Sequence, residues 1–248
     1  MTTHIDLNAD LGEGCAFDAD LMSVVTSCNI ACGGHTGDEA SIRTALQLAK
    51  ANNVAAGAHP SFPDRENFGR TRSDLSGSAL EEALVTQIED IKRLADTVHV
   101  TLTHIKPHGA LYNMAARDAD LSASVLNVLQ SVLPHASLVG PPNSELQREA
   151  TVRGVNFVAE GFADRAYQAD GQLRDRSEQG AMIHGSNAQA KQALSMASEH
   201  RVQTYEGETL SLPVDTICVH GDTPEAFAAA RAIRSSLEQL DIRLCAPY

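Results

Sequence analysis

The 248-residue chain carries 32 acidic against 19 basic side chains, a formal net charge of −13, and 43% hydrophobic residues. That acidity excludes a broad nucleic-acid or anionic-membrane surface, so an anionic small molecule would need a local basic pocket. Tryptophan is absent and aromatics make up 4%, which disfavours a surface built to stack sugars or bases; the length suits one large domain, over 1–248, or two small ones, with ample core either way.

The N-terminus, MTTHIDLNAD, has neither a basic n-region nor an apolar h-region. No apolar run approaches the roughly 20 residues of a membrane span. A cytoplasmic location is therefore expected, and five cysteines without framework spacing suit a reducing compartment. The first strand is expected over 4–8, running into Asp10, Gly12, Glu13 and Gly14. In an extended chain Asp6, Asn8 and Asp10 share one face. A face that polar is a poor core for an ordinary sheet and a sensible inner lining for a barrel mouth. A short helix over 18–24 precedes a second strand, 28–32, which leads into Gly33, Gly34 and His35. Cys28, Cys32 and His35 match no standard zinc spacing, and buried small cysteines are the simpler reading. Ile42, Ala45, Leu46 and Ala49 mark one face of the next helix.

A third strand over 54–58 ends at His59-Pro60, before a loop carrying Arg65, Arg70 and Arg72. Such a loop beside a histidine could hold a carboxylate or phosphate, or simply be solvated. Leu80, Leu84, Ile88, Ile91 and Ala95 define a helix over 78–95. The stretch VHVTLTHIKPHGALYN, 98–113, begins as a strand: Val98, Val100, Leu102 and Ile105 are apolar, and Thr101 and Thr103 are β-branched. Pro107 and Gly109 stop it. Lys106 and His108 are left at a strand end, either for chemistry or as a cap with a surface lysine.

A helix over 119–133, a strand over 137–140, a helix capped by Asn143 or Ser144, and a sixth strand over 155–159 follow. The sixth strand ends in Glu160, with Asp164 and Arg165 beside it. The long irregular stretch after it has the length of a functional lid. A helix over 186–199 and a hairpin across Glu206-Gly207 lead to the last strand, 214–219, which ends in His220, Gly221 and Asp222. Thr223 is placed to cap the final helix, with Pro224 in its first turn.

Strand and helix alternate with no linker, which predicts a parallel α/β fold. Seven or so repeats in this length fit a TIM-like (β/α) barrel, seven-stranded; an open doubly wound sheet is the alternative. No G-x-G-x-x-G follows the first strand, which weakens a dinucleotide-binding version. A barrel gathers the C-terminal ends of its strands, and with them Asp10, His35, His59, Lys106, His108, Glu160, His220 and Asp222. That concentration points to an enzyme rather than a binding module. Asp and His side chains there suit a divalent metal that activates water, with Asp10 and His35 as candidate ligands. Alternatively a histidine or carboxylate is the base while Lys106 stabilises developing negative charge. Both routes lead to hydrolysis of an amide or similar carbonyl compound. Neither a G-x-S-x-G elbow nor a P-loop is present.

Six segments carry a wider likeness: IDLNADLGEG (5–14), SCNIACGGHTGD (27–38), GAHPSFPDRENFGR (57–70), IKPHGALYN (105–113), EGFADRAYQADGQLRDR (160–176) and CVHGDTP (218–224). In these the chain resembles the LamB/YcsF family, the A subunits of 5-oxoprolinase, over essentially its full length. Where the family motif continues FGR with a second arginine, this chain has Thr71. The resemblance implies a barrel related to the glycoside hydrolase/deacetylase superfamily. It also implies ATP-dependent opening of 5-oxo-L-proline to L-glutamate together with partner subunits B and C. On that reading Lys106 and Arg70 hold the substrate carboxylate or the phosphorylated oxygen, and Asn8, Asp164 and Arg165 line the substrate. His59, His108 or His220 move protons. Asp10, Glu160 and Asp222 orient those histidines or hold a Mg²⁺-bound phosphate. A metal-dependent deacetylase-like hydrolase is the alternative.

Overall fold

The strand β1 (His4–Leu11) sets the architecture, because both of its faces are buried and they differ in kind. Ile5, Leu7, Ala9 and Leu11 join the hydrophobic core beneath the helices. The alternate residues Asp6, Asn8 and Asp10 face the other way and bond to one another's neighbours. The computed structural model describes residues 4–220 and 225–248. After β1 come α1 (Asp18–Met22), β2 (Ser27–Ala31), α2 (Glu39–Asn52), β3 (Ala55–His59), α3 (Gly77–Val98), β4 (Leu102–Ile105), α4 (Gly109–Ala115) and α5 (Ala119–Val132). Then follow β5 (Ser137–Gly140), α6 (Glu145–Arg153), β6 (Phe157–Phe162), α7 (Ser186–Glu199), β7 (Arg201–Gln203), β8 (Thr209–Ser211), β9 (Thr216–His220), α8 (Ala226–Gln239) and β10 (Arg243–Leu244).

Seven strands pair in parallel in the order β1-β2-β3-β4-β5-β6-β9, and β9 returns to β1. The expected TIM-like, seven-stranded barrel is therefore closed. The helices pack outside it by the faces their sequences mark. In α2, Ile42, Ala45, Leu46 and Ala49 are buried, and Asp38 and Ser41 form a reciprocal capping box. In α5, Leu121, Val125, Val128, Leu129 and Val132 are buried behind an Asp118 cap. β7 and β8 form the expected antiparallel hairpin. Among the described residues no helix is long and apolar enough to cross a membrane.

Several boundaries differ from the sequence reading. Val98 ends α3 instead of starting a strand, and His99 caps that helix in the left-handed region at φ 57°. Its apolar side chain serves the last helical turn, so β4 begins only at Leu102. β6 runs through Phe162, which puts Glu160 inside the strand instead of at its end. α4 and β10 were not foreseen. β10 pairs with the start of β1, and the Tyr248 ring beyond it stacks on His104 at 4.3 Å. The cap at Thr223 and Pro224, and Asp222 with them, lie outside the described residues.

Gly57 of β3 pairs with His104 of β4, and a Cβ there would run into the buried His104 ring. Gly57→Ala should lower the free energy of unfolding by about 1–3 kcal/mol, the usual cost of overpacking. Urea denaturation reads this directly, and an unchanged midpoint would mean that the ring moves aside freely.

Candidate active site

The barrel interior is polar and connected from one end to the other. Asp6 accepts hydrogen bonds from the hydroxyls of Thr26 (2.5 Å), Ser27 and Thr216 (both 2.6 Å). Burial nevertheless pushes its carboxyl above the usual range. Asn8 donates to Thr216 at 2.7 Å and to Glu160 at 3.0 Å, and accepts from Asn29 at 2.8 Å. Asn29 also donates to Asp10 at 2.9 Å. Its amide oxygen lies 2.9 Å from His104 Nε2, and His104 Nδ1 lies 2.9 Å from the Thr103 hydroxyl. Burial first, then the nearby Lys106 charge, pushes His104 down to about 3, so it is a neutral ring held at both nitrogens.

Above this column lies Lys106, completely enclosed. Its ammonium contacts Glu160 Oε1 at 2.8 Å, Asp10 Oδ1 at 2.9 Å and Cys218 Sγ at 3.2 Å. Burial alone would favour the neutral amine. The charges around it, Asp10 foremost, outweigh burial and hold the ammonium protonated well above the usual lysine range. Burial likewise opposes ionising Asp10, yet His59 and Lys106 hold it well below the carboxylate range. The second oxygen of Glu160 and the Tyr112 hydroxyl are both buried, and burial first, then the neighbouring Glu160, pushes the phenol well above its usual range.

On the β1–β4 side of the mouth stands a group of three histidines and Glu13. Gly12, at φ 74°, turns the chain after β1, and its N–H donates to Asp18 at 2.8 Å. That turn brings Glu13 Oε1 to 3.1 Å from His35 Nε2 and 3.5 Å from His108 Nδ1. His35 and His108 stack in parallel, 3.7 Å between centroids. Gly69 packs on both: a Cβ there would lie 2.8 Å from His35 Cβ and 3.1 Å from the His108 ring. His59 Nδ1 donates to the Lys106 carbonyl at 2.7 Å, and His108 Nε2 donates to the Phe68 carbonyl at 3.0 Å. The remaining nitrogens, His59 Nε2 and His108 Nδ1, face each other at 2.9 Å. Burial pushes both His35 and His108 down.

On the β6–β9 side, His220 Nδ1 donates to Asp164 Oδ2 at 2.7 Å, and Arg176 donates to His220 Nε2 at 3.0 Å. Burial opposes ionising Asp164, but His220 and then Arg176 and Arg165 hold its carboxyl below the usual range. Arg165 is buried, with Nη2 on the Arg174 carbonyl at 2.6 Å and Nε without a partner. Burial, then the Arg176 charge, with Arg70 adding a smaller push, lowers it to about 10. Two guanidiniums, Arg165 and Arg176, therefore share this side, with Arg70 on the loop after β3 adding its charge from farther away. The stretch after β6 is stapled across the mouth: Ala166 donates to Ala181, Arg174 to Ala166, and the Arg174 guanidinium lies 3.9 Å above the Tyr205 ring.

Of the residues named from the sequence, Asn8, Asp10, His35, His59, Lys106, His108, Glu160, Asp164, Arg165 and His220 all converge here. Asp10 and His35 sit in different groups: Asp10 reaches Lys106, whereas His35 reaches Glu13. Arg70 is exposed on the surrounding loop, its guanidinium 5.0 Å from the Phe68 ring. Glu13, Asn29, His104, Tyr112, Arg176 and Cys218 were not singled out as site residues. Only Glu13 carried a signal, its crowding with Asp6, Asn8 and Asp10 in one short segment.

A closed parallel barrel with ionisable side chains gathered at the C-terminal ends of its strands defines a TIM-like barrel protein of the enzyme type. The chain belongs to the LamB/YcsF family, whose model matches residues 5–247. It is 44% identical over 239 residues to a Histophilus somni protein named as the A subunit of 5-oxoprolinase, covering 96% of this chain and 97% of that one. The crystal structure of the lactam utilization protein from Thermus thermophilus superposes with a TM-score of 0.91 at 37% identity, over 98% of this chain and 99% of that one. The catalytic domain of a peptidoglycan N-acetylglucosamine deacetylase from Eubacterium rectale shares the fold alone, with a TM-score of 0.54 at 12% identity, over 99% and 89%.

Two outcomes follow from the charge arrangement. Lys106→Met removes the cation between two buried carboxylates and should cost about 3–5 kcal/mol of stability; adding Glu160→Gln should return part of it. Chemical denaturation of the single and double variants checks this. For Asp164 the folded carboxyl lies below its unfolded value of about 4. Its stabilisation is therefore complete above that value and lost as pH falls through the folded one. Asp164→Asn should flatten the acid side of the stability profile below about pH 4 and leave its alkaline side unchanged, as read from melting temperature against pH.

Proposed function

We propose that this chain is the lactam-opening component of an ATP-dependent 5-oxoprolinase, converting 5-oxo-L-proline to L-glutamate in the cytoplasm with partner subunits B and C. The observation that carries the reading is the 44% identity, over nearly all of both chains, to a protein named as the A subunit of 5-oxoprolinase. The geometry supports it in two ways. Arg165, with Arg70 and Arg176 near it, suits a carboxylate or phosphate in an otherwise acidic chain. The Asp164–His220 pair has the arrangement of an oriented general base.

The chemistry needs help from ATP because an unstrained lactam is a poor electrophile. Phosphoryl transfer to the lactam oxygen releases ADP. Water then adds at C5 while His220 Nε2 takes its proton. The C5–N bond breaks, the ring nitrogen gains the proton, and a second water displaces phosphate. One ATP and two waters are consumed; glutamate, ADP and phosphate are formed. Lys106 serves the negative charge that develops on the oxygen and nitrogen bound to C5 and keeps Asp10 and Glu160 ionised. Those carboxylates are engaged by Lys106, and Mg²⁺ prefers oxygen donors, so Mg²⁺ arrives with the nucleotide. The sequence has no P-loop, which favours nucleotide binding shared with a partner protein.

The test is glutamate formation from 5-oxoproline with ATP and Mg²⁺, by the chain alone and with subunits B and C. Turnover in either case supports the reading, and turnover only with partners makes the chain one part of a complex. Lys106→Ala should reduce turnover about 100-fold or more, the scale of losing one charge-stabilising donor; activity within a few-fold of wild type would remove its role. A second reading, a metal-dependent deacetylase-like hydrolase, is favoured by the Glu13, His35, His59 and His108 group. Turnover of an N-acetylated sugar without ATP, abolished by a chelator, would establish that reading in place of the first.

A further inference from the structure

Among the described residues two groups of side chains are close enough to hold a metal ion: Glu13, His35, His59 and His108, and separately Asp10, Cys218 and His220. The second already holds a cation. The Lys106 ammonium donates to Asp10 and Cys218, and both His220 nitrogens are engaged by Asp164 and Arg176. The first is built from three imidazoles and one carboxylate, and its outer hydrogen bonds fix which ring nitrogens face inward. His59 uses its Nδ1–H on one backbone carbonyl and His108 uses its Nε2–H on another. His59 Nε2 and His108 Nδ1 then face each other 2.9 Å apart, with Glu13 Oε1 at 4.0 and 3.5 Å from them, and His35 Nδ1 is buried without a hydrogen bond. At 2.9 Å the two facing nitrogens cannot both carry a proton, and with the carboxylate oxygen they make a convergent donor set for a metal ion. Backbone carbonyls that fix the outer N–H of an imidazole are also the usual support of metal-binding histidines.

We propose that Glu13 Oε1, His35, His59 Nε2 and His108 Nδ1 form a site for one divalent transition-metal ion of the zinc class. All four donor atoms lie within 4.8 Å of one another. Tetrahedral ligands with bonds of about 2.0–2.1 Å stand roughly 3.3 Å apart, within the spread of separations here. Three imidazoles and one carboxylate select zinc, cobalt or nickel over magnesium, which prefers oxygen donors. The ion would tie the loops after β1, β2, β3 and β4 together beside Asp10, whose Oδ2 is 3.3 Å from His59 Nε2. The assignment is independent of which substrate the enzyme takes.

The test uses the full chain stripped of metal with a chelator and titrated with Co²⁺, a coloured stand-in for zinc. Visible cobalt bands should saturate at one equivalent, vanish on adding Zn²⁺ and persist in excess Mg²⁺. Co²⁺ should raise the melting temperature of the wild type in a concentration-dependent way. His35→Ala and Glu13→Gln should each weaken binding by more than the roughly 10–100-fold typical of losing a supporting contact. Glu13 sits at the mouth, so Glu13→Gln reports even where His35→Ala fails to fold. Cys218→Ser should leave the cobalt spectrum unchanged. No stoichiometric binding, unchanged binding in the folded Glu13→Gln variant, or a sulfur-to-cobalt band lost in Cys218→Ser would each overturn the site. Metal occupancy is the readout, so failure here is distinct from failure of 5-oxoproline turnover.

Discussion

The barrel depends on one buried ammonium. Lys106 starts just past β4, crosses the interior, and meets Asp10 from β1, Glu160 from β6 and Cys218 from β9. Four of the seven strands are thereby joined through a single side chain. An isolated ion in such a place would cost several kcal/mol in lost hydration. The arrangement is tolerable because each charge has close partners of opposite sign and the carboxylates have further donors, Asn29 to Asp10 and Asn8 to Glu160. The same asparagines connect downward to Thr216, Asp6 and the neutral His104. Where apolar layers commonly fill such a barrel, this one is filled by a connected hydrogen-bond network.

That network divides the mouth into two chemically different sides. Toward β2, β3 and β4, backbone carbonyls orient two imidazoles so that basic nitrogens face inward. Toward β6 and β9, guanidiniums gather around an Asp164–His220 pair. The whole chain has a net charge of −13, so the arginine side is a local exception to its own surface, which is how an acidic protein would capture an acidic small molecule.

The polar side of this design was legible early, because period-two alternation in β1 left Asp6, Asn8 and Asp10 on one face with no apolar explanation. Helical faces were legible for the same reason: the 3.6-residue period in α2 and α5 names its buried residues one by one. The failures have equally physical causes. Val98 is apolar whether it closes a helix or opens a strand, and only the left-handed turn at His99 decides between them. The strand before Glu160 was ended three residues early because nothing in its local sequence marks how far pairing with β9 extends. Glu13 and Arg176 reach the site from turns and loops, where no periodicity fixes a side chain's direction. His104 and Asn29 look like ordinary strand residues until Gly57 of the intervening β3 leaves room for them to meet at 2.9 Å.

Arg176 links recognition to chemistry on the proposed reading. With no anion present, its guanidinium donates to His220 Nε2, the nitrogen that would accept a proton. A base capped in this way is quiet. A ligand carboxylate or phosphate offers Arg176 a stronger, charge-assisted partner than a neutral imidazole does. Drawing the guanidinium away leaves His220 with Asp164 on its far nitrogen and a lone pair toward the mouth. The Phe162 ring, 5.7 Å away and nearly parallel, backs the imidazole in that orientation. The anionic group that identifies the substrate would therefore also uncover the base, and a neutral amide of the same shape would leave it covered.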